Sequence, residues 1–350
     1  MLKLKQPLLG VVSSILVIVS SLLFISPFSF ASLSGWVSYI LQCLIPAQIM
    51  ISVLWKCEHP SFARTQRQPS KGLFFLLTAI VAGTIIAPAF FEIAGGGIAP
   101  PTPMLAQATI LSVVVMFWLA IIWGGWPFNA LIQNPAASGI AALAACYGLT
   151  VAFFRVFFNY GFMQNAPVYV ASLDPHGFFN AWSALVVCVT ALSAMFLMLH
   201  FDLWPLTKFT TIMKQPMLGL IWTAIALATG ILLFEFATAV LRMDPVVFLV
   251  RGPIPFIFGT IIILNMLQNS LFGKIAQPLK GLANTASAMI IGTALAQLYR
   301  TLADVVTGPL TSGAPAYEAE IWLASALLSV TFPFLIFFAE FFRFWPLKRS

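Results

Sequence analysis

The chain has 350 residues, of which 61% are hydrophobic and 8% charged, with a formal net charge of +7. A soluble domain carries about 25% charged residues, so a water-facing globule is excluded, and a mean hydropathy of +0.99 points to lipid as the solvent. The positive balance holds no basic run of the kind that grips phosphates, so no nucleic-acid partner is expected.

Apolar stretches here are continuous rather than alternating. In lipid every backbone N–H and C=O must be paired inside the protein, so these stretches predict helices of about 20 residues rather than a barrel. Helix 1 runs from Leu8 to near Phe30. Ser29-Phe30-Ala31 resembles a signal-peptide cleavage site, but the apolar run is longer than the usual leader core, and helix 1 is expected to be retained. The following spans are helix 2, Leu33 to Trp55; helix 3, Gly72 to Ile93; helix 4, Leu105 to Trp123; and helix 5, Ala136 to Phe158. Then come helix 6, Ala181 to Phe201; helix 7, Met217 to Ala239; helix 8, Pro253 to Phe272; helix 9, Leu279 to Tyr299; and helix 10, Ile321 to Phe344.

One motif opens the odd-numbered helices. Gln6-Pro7-Leu8-Leu9-Gly10 recurs as Gln68-Pro69 with Gly72, Gln215-Pro216 with Gly219 and Gln277-Pro278 with Gly281. Asn134-Pro135 opens helix 5, with Gly139 one residue late. Proline is tolerated at a helix start because its missing N–H would be unpaired anyway. Three even-numbered helices stop at Trp-Pro, namely Trp126-Pro127, Trp204-Pro205 and Trp345-Pro346. Indoles favour the headgroup level, and the residue before a proline leaves the helical region. The fold expectation is therefore an all-α polytopic membrane domain of about ten transmembrane helices. They form five helical-hairpin repeats, approximately 7–55, 69–126, 135–204, 216–273 and 278–345.

Charge agrees with ten crossings. Lys3, Lys5, Lys56, Arg64, Arg67, Lys71, Lys208, Lys214, Lys274, Lys280, Arg343, Lys348 and Arg349 fall on the side of the termini, and Arg155, Arg242, Arg251 and Arg300 on the other. The positive-inside bias places both termini in the cytoplasm. No Asn-x-Ser/Thr acceptor occurs, which fits a bacterial inner membrane. In the loops on the far side, Asp174-Pro175 and Asp244-Pro245 predict two short capped helices, before helices 6 and 8.

Eleven residues beyond each motif glycine stand Ser21, Gly83, Thr150, Gly230 and Gly292, all small or hydroxylic and on one helical face with it. Such a face serves close helix packing or the lining of a shared cavity. The second alternative puts the odd helices inside, around a pseudo-fivefold axis, with the even helices toward lipid. That layout resembles tellurite-resistance and guard-cell anion channel proteins in architecture, without shared motifs. Sixteen residues beyond the glycine come Arg155, Glu235 and Gln297, with Arg300 one turn further and Glu92 at a similar level. With the odd helices central, these groups form a charged outer girdle in which Arg155 pairs with Glu235. Asn265, Gln268 and Asn269 crowd the other end of helix 8 and suit interhelical hydrogen bonds or a polar vestibule.

Chemistry is sparse elsewhere. Cys43, Cys57, Cys146 and Cys188 form no Cys-x-x-Cys pair, and His59, His176 and His200 are far apart, so no metal, haem or other cofactor site is expected. No nucleophile–base set, P-loop or dinucleotide fingerprint is present. The catalytic set is empty, and the expected partners are the bilayer and a small solute. Three functional classes stay open: a transporter or channel-like permease, a non-transporting anchor or scaffold subunit, and a membrane-embedded enzyme or redox subunit.

Overall fold

A computed structural model describes residues 4–347, so Lys3, Lys348 and Arg349 of the charge count lie outside the described residues. The protein is all-α. Its long helices are α1 (Leu8–Ile25), α2 (Phe30–Leu54), α3 (Ser70–Gly95), α4 (Pro103–Ile122), α5 (Pro135–Phe157), α6 (Ala181–His200), α7 (Met217–Val240), α8 (Pro245–Met266), α9 (Leu279–Val306) and α10 (Glu318–Phe341). Among the described residues, all of these except α9 make nine helices long and apolar enough to cross a membrane. The chain is a multi-pass membrane protein. The α9 helix has 28 residues and is more polar, and it carries Arg300 inside it rather than beyond its end.

The Gln-Pro motif has a structural meaning that its spacing alone did not reveal. In each copy the glutamine Oε1 accepts from the N–H of the motif glycine, an otherwise orphan donor of the first turn. Its Nε2 donates to the last carbonyl of another helix. Gln6 reaches Met266 of α8 at 2.9 Å, and Gln68 reaches Phe341 of α10 at 2.7 Å. Gln215 reaches Ile122 of α4 at 2.9 Å, and Gln277 reaches His200 of α6 at 3.1 Å. The glycine is required by contact. A Cβ on Gly72 would lie 2.6 Å from the Phe342 ring, one on Gly219 2.7 Å from Trp123, and those on Gly10, Gly139 and Gly281 would collide with Met266, Trp55 and Phe201. At the fifth start Asn134 is too short to bridge and instead caps its own helix, its Oδ1 accepting from Ala136 and Ala137 N–H.

Each odd helix therefore begins against the end of the even helix three places earlier in a closed cycle: α3 on α10, α5 on α2, α7 on α4, α9 on α6 and α1 on α8. Further along, it packs on the even helix just before it. A Cβ on Gly83 would run into Leu44 of α2, one on Gly230 would lie 2.8 Å from Ala191 of α6, one on Gly292 would collide with the Pro255 carbonyl of α8, and Cys146 of α5 donates to the Ser112 carbonyl of α4. Each odd helix thus fills the outer groove between two consecutive even helices. The even helices form the inner ring in the order α2, α4, α6, α8, α10 and back to α2.

The even helices also end alike. Two successive left-handed residues follow each: Lys56 and Cys57, Gly124 and Gly125, Asp202 and Leu203, Gln268 and Asn269, Arg343 and Phe344. Non-glycine residues pay for that conformation. It turns the next N–H groups back onto carbonyls of the last turn, as in Cys57 N–H to Ile51 O at 2.9 Å and Phe344 N–H to Phe338 O at 3.0 Å, which low-polarity surroundings reward.

Burial corrects the expected layering. In the most apolar stretch of each even helix 56–72% of residues are buried, against 22–39% for α1, α3, α5 and α7. The odd helices are the outer layer. The inner ring buries the polar side chains Gln42, Gln48, Thr109, Thr190, Ser193, Thr260 and Ser329. Lipid offers such groups no hydrogen bonds.

Of the two expected capped helices only one forms. Asp244 Oδ1 accepts from Val246 and Val247 N–H at 2.9 and 3.1 Å, and Pro245–Arg251 is helical, joined to the rest of α8 through a bend at Gly252. Asp174 spends its carboxylate differently. It accepts from Tyr160 and His176 N–H and from the Tyr169 hydroxyl, no α-helix starts there, and Phe179–Asn180 pairs in parallel with Phe158–Asn159.

Candidate functional site

The inner ring holds one polar cluster at mid-depth. Gln42 of α2 donates from Nε2 to Ser329 Oγ of α10 at 2.8 Å, and its Oε1 accepts from Thr109 Oγ1 of α4 at 2.6 Å. Gln42 thus bridges both ring neighbours of its own helix. Gln42 and Ser329 each stand thirteen residues before the residue that follows their helix, Trp55 and Phe342. At about 1.5 Å per residue that is roughly 20 Å from the face bearing the chain ends. Both residues also precede a proline by four positions, Pro46 and Pro333. A proline cannot donate to the carbonyl four residues back, so both helices lose a backbone bond at this one level. Ser329 lies within a π-helical stretch, Ser325–Thr331, a distortion common at functional positions.

Below the cluster, toward the chain-end face, three phenylalanines meet. Phe117 of α4 lies 5.3 Å from Phe196 of α6 and 5.8 Å from Phe332 of α10, centroid to centroid, at steep angles. The helices α4 and α10 are separated in the ring by α2, so their contact is made across its interior. All three rings are buried. The inner ring thus carries a polar bridge at mid-depth, and aromatic rings meet across its interior about one to two turns further on.

Near the chain-end face the ring is tied by polar contacts. His200 Nε2 of α6 meets Thr260 Oγ1 of α8 at 2.9 Å, while its Nδ1 is buried without a partner. Asn265 of α8 donates to Glu340 Oε1 of α10 at 2.8 Å, and Asn269 Oδ1 accepts from Asn284 of α9 at 2.9 Å. The asparagines singled out from sequence therefore make interhelical bonds. Outside the spans, Asp202 accepts from Lys280 Nζ at 2.9 Å and Gln277 Nε2 at 2.8 Å. Burial alone would raise this carboxyl, but those bonds and the lysine charge hold it below the usual carboxylate range.

The charged girdle does not assemble. Arg155, Glu235 and Gln297 are exposed on separate outer helices, and Arg155 and Glu235 form no ion pair among the described residues. Glu92 is exposed as well. Arg300 is half-buried near Arg251 and Glu320, and Glu320 is held by Ser312 Oγ at 2.6 Å and Gly313 N–H at 3.0 Å. With odd helices outermost, equal depth on them does not mean convergence. The five small residues are all buried at the seams between layers, where Ser21 and Thr150 return their hydroxyls to Val17 and Cys146 carbonyls. Their geometry is that of close packing.

Sequence reasoning passed over Gln42, Thr109, Ser329 and the three phenylalanines. The available signal was a polar residue followed four positions later by proline, inside two apolar runs. All four cysteines are free, and among the described residues no group of three His, Cys, Asp or Glu could hold a metal ion. No family model, curated protein or solved structure matches this chain.

Proposed function

We propose that the protein is a permease for a small solute, with its path along the axis of the even helices. In this reading one two-helix unit is copied five times, and ten helices cross a bacterial inner membrane with both termini in the cytoplasm. The bias of Lys and Arg toward the terminus side supports that orientation. The observation that carries the function is the bridge Thr109–Gln42–Ser329, which joins three helices of the ring at mid-depth. Polar groups at mid-membrane are costly and mark pathways, and interrupted helices at the midplane are where transporters hold substrate. The cluster bears no formal charge, which suits a neutral or weakly charged solute. Phe117, Phe196 and Phe332 are the closure, and opening requires one of these rings to rotate away.

Flux into liposomes, measured for a panel of cations, anions and neutral solutes, tests this. Wild-type protein should pass at least one class slowly, Phe117→Ala should pass it faster, and Gln42→Leu should abolish it. A panel that moves through neither wild type nor Phe117→Ala counts against a permease.

An anchoring role has one feature in its favour. The segment between α5 and α6, with two short 3-10 turns, is organised around the fully buried Asp174 carboxylate, a natural platform for a partner. Copurification in mild detergent tests for one.

A further inference from the structure

Of the charged groups in the predicted girdle, Arg155 lines a cavity. That cavity, of about 340 Å³, lies between α3 and α5 on the face opposite the chain ends, reaches Ala108 of α4 at its floor, and is walled by Phe90, Ile93, Val151 and Phe154. The only acidic residue lining it is Asp174, and its carboxylate is already engaged. Its Oδ1 accepts from Tyr160 N–H at 3.1 Å and His176 N–H at 2.9 Å, its Oδ2 from the Tyr169 hydroxyl at 3.1 Å, and its side chain is 0% exposed. Asp174 is thus committed to the fold of the loop and makes no ion pair with Arg155. Glu235, the other candidate, does not reach it. Among the described residues Arg155 has no ion pair and no side-chain hydrogen bond.

We propose that this cleft binds the anionic head of an amphiphile, a carboxylate or a phosphate monoanion, with its hydrocarbon lying along Phe90, Ile93 and Val151. The guanidinium presents a planar fork suited to two oxygens of one head. A free inorganic anion would gain nothing from the aromatic and aliphatic walls and would lose hydration there. The apolar flank of an amphiphile gains from every wall it covers. Lipid surrounds α3 and α5, whose outward residues Ile85, Ile93 and Val156 are exposed, so a chain can enter sideways from the bilayer. This inference does not depend on the axial path. Fatty acids and anionic phospholipids share the chemistry, and the test separates them.

The protein is purified into phosphatidylcholine nanodiscs doped with either oleate or phosphatidylglycerol, and bound amphiphile is counted by native mass spectrometry. Wild type should retain one equivalent of one of them above the phosphatidylcholine background, and which one it retains names the source. Arg155→Gln should lower that affinity about tenfold or more, with Arg155→Lys between the two. Ala94→Phe, which fills the cleft from α3 and leaves Arg155 in place, should also abolish retention. Circular dichroism and elution volume identify variants that fold as wild type. Retention unchanged in folded Arg155→Gln and Ala94→Phe overturns the proposal. So does inorganic phosphate competing as strongly as the amphiphile, or wild type retaining neither.

Discussion

Gln42 and Ser329 hold each other across the seam where the first and last inner helices meet, 2.8 Å from Nε2 to Oγ, each one helical turn before a proline of its own helix. The seam closes the ring, so the bond joins residues 287 positions apart. Ser329→Ala leaves a buried amide donor unpaired, and Gln42→Leu removes the bridge entirely. Interhelical bonds of this kind average about 0.6 kcal/mol and reach roughly 1.7 kcal/mol. Thermal unfolding of both single variants and the double variant should show a coupling in that range, with the double less destabilised than the sum. Strict additivity would mean that the two side chains do not cooperate.

The four glutamine clamps make a sharper demand on the cyclic arrangement. Gln6, Gln68, Gln215 and Gln277 share the same two bonds, and Gln277 adds a third to Asp202. Replacing any one by alanine leaves a helix-start N–H and a helix-end carbonyl unpaired, at about 1–3 kcal/mol. The Gln6, Gln68 and Gln215 variants should lose stability by amounts within roughly 1 kcal/mol of one another inside that range, and Gln277→Ala, which also gives up its bond to Asp202, should lose at least as much. Melting curves in one detergent decide it. A single costly position among three silent ones would argue that the copies are not equivalent.

How much of this was legible beforehand depends on what each residue reports. Pro7, Pro69, Pro216 and Pro278 announce helix starts because the ring's geometry acts locally, and those starts stand within one or two residues of expectation. Trp204 and Trp345 mark helix ends for the same reason. Layering is not local. Arg155 and Glu235 share a depth, and depth is all that their spacing from Gly139 and Gly219 encodes. Which layer faces lipid is not encoded in any motif, nor in a helix's overall polarity, since the polar α9 belongs to the outer layer. The Asp174 segment was misjudged because a capping aspartate and a loop-organising aspartate look identical until Tyr160 and Tyr169 are brought to it.

Inter-layer packing predicts unequal costs for one substitution. A methyl group at Gly292 would run into the Pro255 carbonyl, and one at Gly259 into the Ala288 carbonyl. Backbone on both sides cannot yield as a side-chain tip can, so α8 and α9 would have to separate. Gly148 in α5 has nothing within 4 Å of the same position. Gly292→Ala and Gly259→Ala should each cost about 1–3 kcal/mol by overpacking. Gly148→Ala should be neutral or gain up to about 1 kcal/mol from helix propensity. Folded yield after size exclusion, followed by melting temperature, gives the ranking. Equal behaviour of all three would refute the close approach of α8 to α9.

Asp202 fixes the direction of an acid-sensitive contact. Its folded-state pKa lies below the ordinary value, because Lys280 and Gln277 hydrogen-bond the ionised carboxylate more than burial disfavours it. Folding is therefore favoured by this group at pH values above its unfolded pKa of about 3.9, and that contribution is lost as pH falls through the lower folded value. Asp202→Asn is a clean probe, since the residue sits at φ 51°, where asparagine is as well tolerated as aspartate. The side chain is 54% exposed, so the contribution stays within the roughly 0–1 kcal/mol of a surface pair. The melting temperature of wild type should exceed that of Asp202→Asn by a constant margin from pH 7 to 5. The margin should then shrink below about pH 4 as the carboxylate is protonated in both states. Salt at about 1 M, where the Debye length is near 3 Å, should reduce the margin at pH 7 as well. A margin that grows on acidification would mean that the carboxyl is held protonated in the folded protein, with Lys280 bound elsewhere.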